Sequence, residues 1–233
     1  MKRRNVLRTA LMLQISLALF ACDPSEESAN NRELPYYGDH DIGLDLQPDG
    51  SRLADTLYFT VPAFSFINQD SIEISHKDYR GHIYVTDFFF TTCPSICPVM
   101  SSQMSRLQDK LKNESLFGEV KLLSHTVNPE NDTPAVLKAY ADKMGADTRY
   151  WNFVTGTQDD LYDQARYGYF MTALVSDTAA GGFFHSDNFV LVDTQGHLRG
   201  VYDGTSTKEV DQLFEDIILL NTQENGTSSA SAE

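Results

Sequence analysis

With 233 residues, of which 41% are hydrophobic and 22% charged, the chain can bury one sizeable core and still carry appendages. That balance excludes a collagen-like rod, a coiled coil and wholesale disorder. Eighteen Lys and Arg stand against 33 Asp and Glu, a net charge of -15, which repels phosphate backbones and supplies no basic patch, so no nucleic-acid partner is expected.

The N-terminus reads as an export signal. Lys2, Arg3, Arg4 and Arg8 precede an apolar run over residues 10–21, broken by Gln14 and Ser16, that is short for a membrane span. The run closes on Leu19-Phe20-Ala21-Cys22, which resembles the lipobox of bacterial lipoproteins; an ordinary secretory signal with a chance cysteine is the alternative. The lipobox reading makes 1–21 a signal peptide and Cys22 the lipidated first residue of a membrane-anchored lipoprotein. Its domain is then exported, to the periplasm or the outer face of the cytoplasmic membrane. Cleavage removes four basic and no acidic residues, leaving -19. Residues 22–57 are expected as a tether, since 23–31 carry no apolar periodicity, with ordered sequence resuming near Leu34-Pro35-Tyr36-Tyr37. Residues 223–233, without a core-type residue, are expected as a disordered tail.

Between these ends, residues 58–222 switch repeatedly between strand and helix patterns. Phe64-Ser65-Phe66-Ile67 and Ile72-Glu73-Ile74 predict a hairpin around Asn68-Gln69-Asp70, and residues 83–90 a buried strand. Met100, Met104, Leu107 and Leu111, spaced four, three, four, mark a helix. Residues 120–127 form a strand. Asp132-Thr133-Pro134 opens a helix through Met144 with Gly145 at its C-terminus. Strands at 151–154 and 170–175 flank a short helix begun by Thr157 and Asp160. Residues 189–192 pair with 198–202 across Thr194-Gln195-Gly196, and a last helix covers 208–221 with Val210, Leu213, Phe214 and Ile217 inward. The order describes a three-layer α/β domain with a central mixed sheet and an N-terminal β-hairpin extension. A cysteine pair at the end of the first long strand, where a helix begins, is the position a thioredoxin-like fold gives its active site.

That pair is Cys93 and Cys97, in Thr91-Thr92-Cys93-Pro94-Ser95-Ile96-Cys97-Pro98. With Cys22 taken by lipid, it is the remaining cysteine chemistry in an oxidising compartment. Spacing i, i+4 at a helix start is expected to put both sulfurs on one face, where the helix N-terminus favours thiolate. Thiolates suit Cu(I), and with one imidazole they form a three-coordinate set that copper accepts in either oxidation state. The same sulfurs could close a disulfide, catalytic or merely stabilising. His185 is the candidate third ligand: it follows a Gly181-Gly182 loop and precedes the strand at 189–193, where a thioredoxin-type reductase carries a cis-proline, and no proline follows Pro134. The aromatic run Phe88-Phe89-Phe90 reads as core. Asp39-His40-Asp41, His76, His82, His125 and His197 lack partners at ligand spacing and read as solvated or capping groups.

Over residues 58–221 the chain resembles the Sco/SenC family of membrane-anchored copper chaperones. The resemblance rests on residues 87–98, on Asn128-Pro129-Glu130-Asn131-Asp132-Thr133-Pro134, and on His185 before Leu191-Val192-Asp193. It implies copper, as Cu(I) or Cu(II) or both, held by Cys93, Cys97 and His185. It also implies delivery to the CuA-bearing subunit of cytochrome c oxidase or another exported cuproprotein. The alternative is a thiol-disulfide reductase that uses Cys93 and Cys97 as a redox pair on an apo cuproprotein. Asn128 stands where the family usually has aspartate. Asp132 reads equally as a group standing behind the copper ligands or as the N-cap of the following helix. A thiol peroxidase is disfavoured because no arginine lies between Arg80 and Arg106.

Overall fold

A computed structural model describes residues 32–46, 52–116, 118–176 and 178–230. The expected signal peptide, Cys22, residues 22–31 and 47–51 of the expected tether and residues 231–233 of the expected tail lie outside the described residues. The chain divides into Met1–Glu33 and a compact unit, Leu34–Glu233, which carries all elements below.

Strand β5 (Ile83–Phe89) is the centre of that unit, and all seven of its residues are buried. A strand buried on both faces needs apolar residues without alternation, which Ile83-Tyr84-Val85 and Phe88-Phe89 supply. It pairs in parallel with β6 (Val120–Thr126), and β6 with β7 (Trp151–Thr155). Beyond β7 lie β3 (Ser65–Asn68) and β4 (Glu73–Ser75), both antiparallel, which place the expected hairpin extension at one sheet edge. On the other side β10 (Asn188–Val192) and β11 (Leu198–Asp203) complete the order β11-β10-β5-β6-β7-β3-β4.

Helices cover both faces. The odd-numbered face of β5 meets α1 (Cys97–Asn113), flanked by α2 (Pro134–Met144) and α4 (Thr207–Ala230). Met100, Met104, Leu107 and Leu111 are fully buried, roughly 1.5–3 kcal/mol each by transfer. Gly145, at φ 66°, ends α2 in the left-handed conformation that a side chain would resist. The opposite face carries α3 (Gln158–Asp163) and a π-helical turn, Gln164–Gly168, which bring Tyr169 against Phe88 and Tyr84. Thr157 caps α3, its hydroxyl oxygen accepting from Asp160 N–H at 3.2 Å.

Three expectations are corrected. Within the expected tether, 22–57, β1 (His40–Leu46) and β2 (Arg52–Tyr58) form an antiparallel hairpin. Ile42, Leu44 and Leu46 alternate with Asp41, Gly43 and Asp45, a strand period hidden by the density of aspartates. Leu34 is buried, Arg199 donates to the carbonyls of Leu34 and Pro35 at 2.8 and 3.2 Å, and Tyr37 N–H reaches Leu198 at 2.9 Å, so any tether ends before Leu34. The tail reading fails as well, because α4 continues to Ala230. An amphipathic segment anchored by buried Val210, Leu213 and Ile217 propagates at one hydrogen bond per residue, and Gly226 alone does not stop it. The strand expected at 170–175 is only β8 (Ala173–Val175), because Phe170 sits at φ 54°. No helix among the described residues is long and apolar enough to cross a membrane.

Candidate metal centre

β5 hands the chain to a loop over residues 90–96. Cys93 N–H bonds the Phe90 carbonyl at 3.2 Å, turning the backbone back toward the sheet, and α1 starts at Cys97. The two sulfurs therefore do not share a helical face as expected: Cys97 is the first helical residue and Cys93 belongs to the loop. Pro98, with no N–H to give the residue-94 carbonyl, and the tight turn at 90–93 disfavour an earlier helix start. Both thiols are free, Cys97 essentially inaccessible and Cys93 marginally less so.

His185 arrives from a separate two-stranded sheet, β8 with β9 (Phe183–His185), in which Ala173 pairs with His185. Gly181 makes that approach possible. At φ +81° it lies so near Phe90 that a Cβ would fall 2.7 Å from Phe90 Cε2 and 3.3 Å from Pro94 Cδ. The imidazole is buried and its Nδ1–H donates to the Ser186 carbonyl at 2.8 Å, leaving the Nε2 lone pair 3.1 Å from Cys97 Sγ. A backbone acceptor of this kind fixes the tautomer a metal-ligating imidazole needs. Phe90 meets the ring edge-on, 5.8 Å away at 90°. The ligand atoms of Cys93, Cys97 and His185 all lie within 4.8 Å of one another, the one such group of three among the described residues. A cleft of about 360 Å³, walled by Phe90, Ile96, Phe183 and Phe184, opens onto Cys93 and His185.

The two thiols differ in acidity. Burial opposes ionisation of Cys93, but hydrogen bonds from Cys97 and from the backbone N–H groups of Ser95 and Cys97 outweigh it and lower its pKa. Burial, and then the proton it donates toward Cys93, push Cys97 well above the ordinary thiol range. Burial also lowers the pKa of His185, so the imidazole is neutral. The cleft thus presents one acidic thiol and one imidazole, with the reluctant Cys97 thiol buried behind them. A cation seated among the three groups would displace the Cys97 proton.

Asp132 is not the N-cap that its sequence position also allows. It is fully buried and does not cap α2; Thr133 is the N-cap and makes no side-chain cap bond. Its carboxylate accepts from Thr91 N–H (3.1 Å), Thr91 Oγ1 (2.5 Å), Thr126 Oγ1 (2.5 Å) and Asn131 Nδ2 (2.7 Å). It ties the end of β6 to the cysteine loop two residues before Cys93. Asn128 takes part through its main chain, its N–H bonding Thr126 Oγ1 at 2.9 Å and its carbonyl accepting from Asp132 N–H at 2.9 Å. The departure at this position therefore leaves the knot intact.

Two groups escaped the sequence reading. His125 is neither solvated nor capping: it is fully buried, stacked on Phe88 at 4.7 Å, and burial holds its pKa down to about 3. Asp87, six residues before Cys93 on β5, is buried with Oδ1 unpartnered, and burial pushes its carboxyl up to about 7 despite a hydrogen bond from Ser124. Only its place in an apolar strand could have flagged it. Below pH 4 this carboxyl is neutral folded or unfolded. Between pH 4 and 7 the unfolded chain ionises first, so the folded state loses stability across that window. Asp87→Asn removes the titration. Its stability relative to the parent chain should rise from pH 4 to pH 7 by about 4 kcal/mol, measured by urea unfolding, whereas a flat difference would show that Asp87 ionises normally.

The expected histidine and cysteines thus converge, while Asp39, His40 and Asp41 are exposed and stand outside the cluster. A thioredoxin-like domain whose sheet-end loop offers two thiols to an imidazole from a neighbouring hairpin is built to handle a soft metal ion or exchange thiols. The chain belongs to the SCO1/SenC family, whose model matches residues 55–218. It is 31% identical over 173 residues to the SCO1 protein homolog of Bacillus subtilis (strain 168), covering 74% of this chain and 89% of that one. A SCO1/SenC family lipoprotein from Bacillus anthracis str. Ames superposes with TM-score 0.65 at 31% identity, over 70% of this chain and 95% of the other. BsSco, a member of the Sco family of cytochrome c oxidase assembly proteins, gives 0.63 at 31% identity over 70% and 94%.

Proposed function

We propose that the chain is a copper chaperone that carries the ion on Cys93, Cys97 and His185 and passes it to the CuA-bearing subunit of cytochrome c oxidase or another exported cuproprotein. The observation that carries this reading is the convergence of two sulfurs and a tautomer-fixed imidazole within 4.8 Å at the end of an open cleft. Two thiolates make the set soft enough for Cu(I), and the nitrogen extends it to Cu(II). The oxidase as destination draws on BsSco, which belongs to a family of cytochrome c oxidase assembly proteins. Metal analysis after copper loading tests the proposal: one copper per chain is expected for the parent, and on the order of a tenth of that for Cys93→Ser or Cys97→Ser after dialysis against a competing chelator. Equal retention by both variants would sink it.

The second reading, a thiol-disulfide reductase acting on the acceptor's cysteines, is favoured by one observation, the acidic Cys93 thiol facing the cleft beside a free Cys97. A disulfide switch identified in BsSco is in keeping with it.

The lipid anchor belongs to the same proposal. A basic, apolar leader ending in Ala21-Cys22 should give a product that fractionates with membranes, its domain outside the cytoplasm. Cys22→Ser should release the domain or halt processing, read by fractionation and by the mass of the mature chain. Unchanged membrane association would remove the anchor from the proposal.

A further inference from the structure

The hairpin that carries His185 has two unlike faces. Its register sets Val175 opposite Phe183, Leu174 opposite Phe184 and Ala173 opposite His185. Alternation along β9 turns Phe183 and His185 toward Phe90, whose ring centre lies 5.2 and 5.8 Å from theirs. Leu174 and Phe184 are left as a cross-strand pair on the other face, 40% and 54% exposed. An antiparallel ribbon with one face in solvent ordinarily carries polar residues there. Phe184 also lines the cleft that opens onto Cys93, so the apolar pair is continuous with it. Ile96 lines the same cleft, and Val99, three residues on in the first turn of α1, is exposed as well.

The cleft itself is uncharged. Asp, Glu, Lys and Arg make up 22% of the chain, yet none of them is among the described residues that line it, and its polar lining comes from Ser95, Ser176 and Thr178. A charged segment drawn into it would lose hydration without meeting a countercharge. What enters is therefore neutral and apolar where it meets the hairpin. It also has to exchange with a thiolate or replace one on a soft ion, and a cysteine sulfur does both.

We propose that this surface selects the partner: it takes a protein segment in which a cysteine is flanked by uncharged, apolar residues. The partner's cysteine enters the cleft toward Cys93 while a neighbouring side chain packs on Leu174 and Phe184. The assignment rests on the function proposed above, in which an acceptor's cysteines come to this cleft.

The probes are two capped pentapeptides, Ala-Leu-Cys-Phe-Ala and Ala-Ser-Cys-Ser-Ala, each presented as its symmetric disulfide to the reduced, metal-free full chain. Cys22→Ser is included, so that Cys93 and Cys97 supply all the thiols. The Cys93 thiolate attacks one sulfur of the probe and expels one peptide thiolate; Cys97 then attacks the Cys93 sulfur of the mixed disulfide and expels the second. The chain sulfurs end oxidised as one disulfide, the probe ends reduced as two thiols, and the two protons pass from the chain to the peptides through water. Each rate is divided by that of dithiothreitol with the same probe, which removes the peptides' intrinsic reactivity. The corrected rate should be about tenfold or more higher for the apolar probe, and Leu174→Ser with Phe184→Ser should bring the ratio to within about threefold of one. A variant less reactive overall still reports that ratio. Equal corrected rates in the chain with Leu174 and Phe184 intact, or a ratio that survives the paired change, would overturn the proposal. So would self-association that the paired change abolishes, read by sedimentation, because the face would then belong to a second copy. With the metal absent, the ratio is independent of copper retention, and each reading fails on its own measurement.

Discussion

On the proposed function, His185→Ala should separate copper retention from disulfide chemistry. The remaining sulfurs still offer Cu(I) the two-thiolate coordination it accepts, so Cu(I) retention should persist. Cu(II) loses its only nitrogen donor, and its affinity should fall by on the order of 100-fold. Disulfide formation between Cys93 and Cys97 needs no imidazole and should continue at close to the wild-type rate. Oxidase maturation should be lost with the Cu(II) signal. A variant that matures the oxidase fully, while Cys93→Ser and Cys97→Ser do not, would transfer the function to the sulfurs alone and replace the chaperone with the reductase.

The other large effect is expected from Asp132→Ala. It leaves four buried or part-buried donors without their acceptor, the Thr91 N–H and hydroxyl, the Thr126 hydroxyl and the Asn131 amide. Removing one side of such a network costs roughly 3–5 kcal/mol, which for a domain of this size lowers Tm by roughly 10 °C or more. The loop carrying Cys93 loses its tie to β6 at the same time. Copper affinity should therefore drop about 10- to 100-fold even at temperatures where the variant is folded, as for other groups that orient metal ligands. Calorimetry for Tm and competition with a Cu(I) chelator separate the two losses. A variant with lowered Tm but unchanged affinity would make Asp132 a purely structural residue.

The elements most legible in the sequence were those whose burial is decided locally. The Met100, Met104, Leu107, Leu111 stripe, the Pro134 start and Gly145 stop of α2, and the Thr157 cap each carry their signal within a few residues, and each stands as expected. The convergence of Cys93, Cys97 and His185 was legible because thiol and imidazole chemistry narrows the choice before geometry does. What the sequence hid depends on neighbours distant along the chain. Ile42 and Leu44 look isolated among aspartates until β2 pairs with them, and helix α4 continues past its last core residue because the segment before it is anchored. Asp87 and His125 look like an ordinary acid and an ordinary histidine; only stacking the sheet against Ser124, Phe88 and Phe66 reveals what burial does to them. Gly181 likewise reads as a loop glycine until the Phe90 ring is placed beside it.

The three ligands ride on two different bodies. Cys93 and Cys97 sit where β5 meets α1, held to the seven-stranded sheet through Thr91 and Asp132, whereas His185 ends a hairpin of three residue pairs whose other end turns through two positive-φ glycines. The imidazole is thus carried by a short hairpin that leans on Phe90 through Gly181, Phe183 and His185 itself. On the proposed copper reading, the two sulfur positions are held by the sheet and α1, and the third position by the hairpin alone. On that reading, release of the cargo turns on exchange at the imidazole position, which the hairpin carries, rather than on any opening of the sheet that holds the sulfurs.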